Sequence, residues 1–233
     1  MSNKSTKNTT RTKKTTQRKR REYSDLKLIL MLVGVVILAI VVGELAKRSP
    51  ARETESTLPA APVIKQYDAP PAMTIDTAKK YMATVKMEKG GEFVIELYPD
   101  KAPVTVNSFV FLAREGFFDG VTFHRVLEGF MAQTGDPSGS GSGGPGYQFD
   151  NEYSDLNFDK EGVVAMANAG LNTNGSQFFI TFGPVPLSSA DYTIFGQVIS
   201  GMDVVKGITR RDPQKNPNFT GDVISSITIT EGE

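Results

Sequence analysis

Between Tyr81 and Thr230 the chain is cut into about eight short strand-like segments, with glycine or proline in most of the connections, and in Tyr81–Glu88, Glu92–Tyr98 and Val223–Thr230 apolar and polar residues alternate. Alternation at period two sends successive side chains to opposite faces, so each of these three reads as a short strand with one face toward a core. Tyr81–Glu88 and Glu92–Tyr98 flank Lys89-Gly90-Gly91 and predict a hairpin. Val121–Val126 and Phe130–Thr134 flank Glu128-Gly129 and predict two more strands, while Val163–Ala167, Gln177–Phe182, Tyr192–Val198 and Val223–Thr230 read as the rest. Helical signals are few. Pro103 opens one helix, with Val106, Phe109, Val110 and Ala113 on one face and Gly116 past its end; Met202–Ile208 predicts a short second one. Many short strands and so few helices predict a mainly β body over residues 74–233, a closed or nearly closed antiparallel barrel.

The residues before this body are of another kind. Residues 1–21 hold nine of the 26 basic residues and none of the 26 acidic ones, so the remainder carries 17 bases against 26 acids, a net of −9. The neutral total hides a basic tail on an acidic body. Residues 1–25 lack the apolar side chains needed to fold and are expected to be a disordered tail. Leu28–Gly43 is 16 uncharged, apolar residues, and with its neighbours over 26–46 it approaches the ~20 needed to cross a bilayer. A cleaved signal peptide is the alternative, but Glu44-Leu45-Ala46 makes a poor cleavage site. The expectation is one transmembrane helix that touches membrane lipid, with the basic tail in the cytosol and the body outside. Nucleic-acid binding by the tail is not expected beside such a span. Residues 47–73 contain Pro50, Pro59, Pro62, Pro70 and Pro71 and read as an extended linker, with a reach of about 80 Å in polyproline geometry.

Two segments of the body mix strand-like apolar residues with polar groups that a plain core would not hold. They are Phe123–Asp136 (FHRVLEGFMAQTGD) and Met166–Phe182 (MANAGLNTNGSQFFITF). Arg125, Gln133, Asn168 and Gln177 stand beside Phe130, Met131, Phe178 and Phe179 in them, which describes a greasy pocket edged by hydrogen-bond donors and one fixed cation. The chain has no cysteine and one histidine, His124, so disulfide, thiolate and ordinary zinc chemistry are not expected, and no metal or cofactor is predicted. A Ser-His-Asp reading of His124 lacks a nucleophile elbow. Gly139–Gly144 matches G-x-G-x-x-G only formally, since Pro145-Gly146-Tyr147 follows it and not a helix.

These two segments resemble the most specific runs of the cyclophilins, peptidyl-prolyl cis–trans isomerases, and the likeness covers roughly residues 80–231. Tyr192-Thr193-Ile194-Phe195-Gly196 resembles the family's later strand ending in Phe-Gly, and the Gly/Ser/Pro loop at 138–146 is similar to the bacterial form. The resemblance implies an eight-stranded antiparallel barrel capped by two helices, with the site on its outer face, and proline-containing peptides as partners. An isomerase of this kind makes no covalent bond. It has to stabilise a twisted amide whose proline nitrogen carries a lone pair, and Arg125 is the one residue of the two motifs with a permanent charge and a fixed fork of donors. The resemblance likewise implies Arg125 as the catalytic residue. The plainer reading is an ion pair with Asp136 or Glu128. Phe130, Met131, Phe179 and Leu187 are expected to receive the proline ring. Gln133, Asn168 and Gln177 form the polar rim, with backbone groups of Ala167 and Asn168 able to pair with a peptide. Gln133 and Gln177 could instead satisfy buried backbone groups. Many cyclophilins carry tryptophan and histidine where this chain has Leu187 and Tyr192. A non-catalytic peptide-binding module and a localisation scaffold are the alternatives to an extracytoplasmic, membrane-tethered isomerase.

Overall fold

The computed structural model describes residues 65–215 and 218–232. The expected tail at 1–25, the span at 26–46 and most of the linker at 47–73 lie outside the described residues. Among the described residues no helix is long and apolar enough to cross a membrane.

The predicted hairpin forms as β1 (Lys80–Met87) and β2 (Glu92–Leu97), with Tyr81 opposite Leu97 and Val85 opposite Phe93. Tyr81, Ala83, Val85 and Met87 are buried while their neighbours are not, which is the period-two pattern of one core-facing side. After it come α1 (Pro103–Arg114), β3 (Arg125–Leu127), β4 (Met131–Thr134), β5 (Val163–Met166), β6 (Phe178–Thr181), β7 (Ile194–Ser200), α2 (Met202–Lys206) and β8 (Ile224–Gly232). The strands form one sheet in the order β3-β4-β6-β5-β7-β2-β1-β8, and every neighbouring pair is antiparallel.

The barrel, expected as closed or nearly closed, is a curled sheet whose two ends share no ladder. They meet through an isolated bridge between Thr122 and Val223, supported by Phe123 N–H donating to Asp222 O and Ile224 N–H donating to Val121 O. For this reason the strand expected at Val121–Val126 is only three residues long: Val121–Phe123 leaves the β4 ladder and turns to the segment before β8. The free edge of β3 is covered in turn by Arg211, whose N–H and carbonyl both pair with Val126. Edges blunted in this way are poor templates for another chain.

Inside the curl lies the main core. Phe93, Phe118, Phe123, Phe178 and Phe195 are fully buried there, and Phe109 of α1 packs within about 5.5 Å of Phe118, Phe178 and Phe195. Full burial of such a side chain stabilises by about 1.5–3 kcal/mol. The predicted helical face (Val106, Phe109, Val110, Ala113) is buried, and α1 packs against β8. Residues 65–73, counted in the sequence as the end of the linker, lie on the body. Asn107 of α1 accepts from Thr74 N and donates to the carbonyls of Pro71 and Ala72. Pro70 and Pro71 of the Pro-rich stretch thus belong to the part of it that packs on the body.

Candidate active site

β5 and β6 are buried on both faces, and β4 is buried at all but Gln133, which a sheet with one solvated side would not be. Phe178 and Ile180 point into the main core. Phe179 points outward and joins a second cluster with Met131, Phe158, Val163, Ala165, Val185 and Ile194. The alternation of two adjacent phenylalanines thus supplies two different cores. Phe158 stacks on Phe179 with ring centroids 5.8 Å apart, and Tyr192 meets Phe179 edge-on at 5.7 Å.

Strand register then aligns the polar groups with this outer cluster. Arg125 stands opposite Gln133, Gln133 opposite Phe179, Phe179 opposite Ala165, and Ala165 opposite Ile194. One row crosses five strands on one face. Arg125, Phe130, Met131, Gln133, Ala167, Asn168, Phe179, Leu187 and Tyr192 line a single cavity of about 140 Å³ around it. Nine of the ten residues singled out from the sequence are therefore together. The tenth, Gln177, lines a neighbouring groove of about 820 Å³ that shares Gln133, Ala167 and Asn168 with the cavity.

The ion-pair reading of Arg125 fails. Among the described residues its guanidinium meets no carboxylate. Nη1 lies 3.5 Å from Gln133 Oε1, and the guanidinium carbon lies 6.0 Å from the Phe130 ring centroid. Glu128 is engaged by Arg210, whose hydrogen bond holds the Glu128 carboxyl below its ordinary value. Asp136 is buried and accepts from the N–H groups of Ser138, Gly141 and Gly143 and from the Ser138 hydroxyl. Burial pushes its pKa up, but these donors outweigh it and the net shift is down.

Gln133 Nε2 donates to Gln177 Oε1 at 2.9 Å, and Gln177 Nε2 donates to the carbonyls of Gly141 and Gly143. Of the two readings of Gln177, satisfying backbone groups is the one the contacts support, and its amide protons are turned away from the cavity. Asn168 is similarly occupied. Its Nδ2 donates to Asp191 O at 2.8 Å, which joins the loop after β5 to the loop that carries Leu187 and Tyr192. Ala167 N–H donates to Gln177 O, so no Ala167 donor is left for a bound peptide.

His124, one place before Arg125, points the other way and is only 2 % exposed. Neither ring nitrogen has a hydrogen-bond partner among the described residues, so no Asp-His pair exists and the triad reading is set aside. Among the described residues no three His, Cys, Asp or Glu side chains cluster to hold a metal ion. Sequence reasoning missed Phe158, Val185 and Ile194, the floor beneath Phe179 and Tyr192. Ile194 was visible as a strand position, whereas Phe158 lies in an irregular stretch whose neighbours show no alternation.

What the site offers is a cavity close in size to the ~150 Å³ space that admits benzene, with one guanidinium at its rim and no positioned nucleophile. The family model for cyclophilin type peptidyl-prolyl cis-trans isomerase/CLD matches residues 82–230. The chain belongs to the cyclophilins. It is 45% identical over 155 residues to the peptidyl-prolyl cis-trans isomerase ppi1 of Schizosaccharomyces pombe, covering 64% of this chain and all of that one. It is likewise 45% identical over 136 residues to peptidyl-prolyl cis-trans isomerase B of Bacillus subtilis, covering 58% and 95%. The crystal structure of a Cryptosporidium parvum cyclophilin superposes with a TM-score of 0.59 at 31% identity, covering 66% of this chain and 99% of that one. This cyclophilin is accordingly a peptidyl-prolyl cis-trans isomerase. Its relatives come from fungi, a plant, mammals and a Bacillus, so they do not single out a bacterial form.

Proposed function

We propose that this cyclophilin isomerises X-Pro bonds of extracytoplasmic client proteins, with Arg125 as its catalytic residue and residues 26–46 as its membrane anchor. The observation that carries the catalytic part is a guanidinium that meets no carboxylate among the described residues, at the rim of a cavity of about 140 Å³. The peptide bond resists rotation by ~18–20 kcal/mol because the nitrogen lone pair is delocalised into the carbonyl. At the twisted state that delocalisation is lost and the lone pair returns to the proline nitrogen. A donor aimed at it binds the twisted amide better than either planar isomer, which is the requirement for acceleration. Phe130, Met131, Phe179 and Leu187 receive the pyrrolidine ring, and Tyr192 closes the side on which many cyclophilins carry histidine. Gln133 holds the guanidinium from the β4 side. A solved Cryptosporidium parvum relative was crystallised in the presence of the dipeptide Ala-Pro, which supports a proline-containing peptide as the occupant here.

The test is the exchange rate of an Ala-Pro peptide with the 233-residue chain, solubilised in mild detergent, against Arg125→Ala and Arg125→Lys. Loss of a donor that acts in the transition state lowers kcat by about 10²–10³-fold. Arg125→Ala is expected to lose that much while still binding peptide, and Arg125→Lys to fall between the two because it keeps the charge without the fork. A wild-type rate in Arg125→Ala would remove Arg125 from the mechanism.

A further inference from the structure

The groove beside the proline cavity has one wall made of very pliable chain. Residues 138–146 are Ser138-Gly-Ser-Gly-Ser-Gly-Gly-Pro-Gly146, and glycine brings more conformational freedom than any other residue. Three anchors hold this loop still. The Asp136 carboxylate collects N–H groups of Ser138, Gly141 and Gly143, and Gln177 takes the carbonyls of Gly141 and Gly143. The third anchor is a strap at Lys65–Ala72, which lies before the stretch that matches the family.

Gln66 Nε2 donates to Gly144 O at 2.9 Å, and Tyr67 N–H donates to Pro145 O at 2.8 Å. The Tyr67 ring packs edge-on against Phe111 of α1 at 5.0 Å and touches Phe117 and Tyr147 at 6.4 and 6.5 Å. Gly146 has φ +97°, and a Cβ there would stand 2.5 Å from the Tyr67 carbonyl, so the close approach of strap and loop requires glycine. Gln66 itself lines the groove. Gln133, Ala167 and Asn168 line both spaces, so the groove adjoins the proline cavity where the residues flanking a bound proline would lie.

We propose that Gln66 and Tyr67 are positioning residues for extended substrates: they hold the Gly144–Gly146 wall so that the residues flanking the proline bind in the groove. The inference rests on the isomerase reading of the site. A wall ordered in advance spares a bound peptide the cost of ordering it. Short substrates that fill only the proline cavity do not need the strap.

The experiment uses the 233-residue chain in mild detergent and two substrates, a blocked Ala-Pro dipeptide and a blocked hexapeptide with Ala-Pro at its centre. Tyr67→Ala and Gln66→Ala are expected to raise KM for the hexapeptide roughly tenfold, with kcat retained and dipeptide turnover unchanged. Tyr67→Phe is expected to match wild type, because the ring and the backbone donor remain. Gln66 is exposed, so Gln66→Ala tests the wall without threatening the core. Equal losses on both substrates, or none on the hexapeptide, would overturn the proposal. If the wild-type chain isomerises neither substrate, the isomerase reading fails separately. The same variants are then compared by fluorescence anisotropy of a labelled hexapeptide, where a tenfold weaker Kd supports the strap and an unchanged one sinks it.

Discussion

His124 and Arg125 are adjacent in the chain and opposite in fate. Period two sends Arg125 to the rim of the cavity and His124 into the wall behind it, where a would-be Cβ on Gly141 would lie 3.7 Å from the imidazole. Burial lowers the His124 pKa. Asp136 opposes the shift, and the positive charges of Arg211 and Arg125 add to it. The unfolded chain therefore takes up a proton near pH 6.5, whereas the folded chain takes one up only at lower pH. More protons on the unfolded state mean that stability rises with pH in that window. The urea midpoint is expected to hold at pH 7.5 and above and to fall as the pH drops below 6.5. His124→Leu should flatten the dependence between pH 6.5 and 5, since no other histidine exists in the chain. A slope that persists in the variant would assign it to other groups. At this scale the alternation made the opposite facing of His124 and Arg125, and of Phe178 and Phe179, legible from sequence. The commitment of Gln177 and Asn168 to backbone carbonyls was not, because those carbonyls lie on loops far away along the chain.

Elements show the same division. The start of α1 was legible from Pro103 at its first turn and its end from Gly116, which has φ +63°. Its cap was not. Ala102 precedes the helix and gives no side-chain cap. The open N–H groups of Val104 and Thr105 are instead taken by the two carboxylate oxygens of Glu152, at 2.9 and 2.8 Å, and Glu152 also accepts the Thr105 hydroxyl. A carboxylate at a helix N-terminus satisfies free donors and meets the positive end of the helix dipole. Glu152→Ala is expected to cost about 1–2 kcal/mol in urea unfolding, as loss of a cap does. Glu152→Gln, with a single acceptor oxygen and no charge, should cost less. Indifference of the midpoint to both substitutions would mean that the cap is not part of the stability of α1. The neighbouring Asn151 reaches Asp191 O through Nδ2 and exchanges backbone-to-side-chain bonds with Asn172, so one short segment ties the helix start to both loops at the site. Nothing local in Asn151-Glu152 announces this, and the same is true of β3, shortened because Val121–Phe123 pairs at the far end of the sheet.

At the scale of the whole chain, charge and hydropathy divide what the fold does not describe. The isomerase body is acidic, the first 21 residues are basic, and the apolar run Leu28–Gly43 stands between them. A polar body joined to a run of this length is tethered rather than free if the run enters a bilayer, and the basic side is then retained in the cytosol. The strap changes how far such a tether reaches. Of the 27 residues at 47–73, nine (65–73) lie on the body, so 18 remain, with a limit of about 55 Å in polyproline geometry instead of about 80 Å. Work by the body would be kept correspondingly near the membrane, at high local concentration toward chains emerging there. Two treatments of membranes that contain the 233-residue chain test this arrangement. Alkaline carbonate is expected to leave the chain in the pellet. Protease added from the extracytoplasmic side is expected to cut within 47–64 and release a soluble fragment that still isomerises both the dipeptide and the hexapeptide. Extraction by carbonate would exclude a spanning anchor. Cleavage that occurs only after the membrane is opened would reverse the orientation, since the excess of Lys and Arg before the run is the sole basis for placing the body outside.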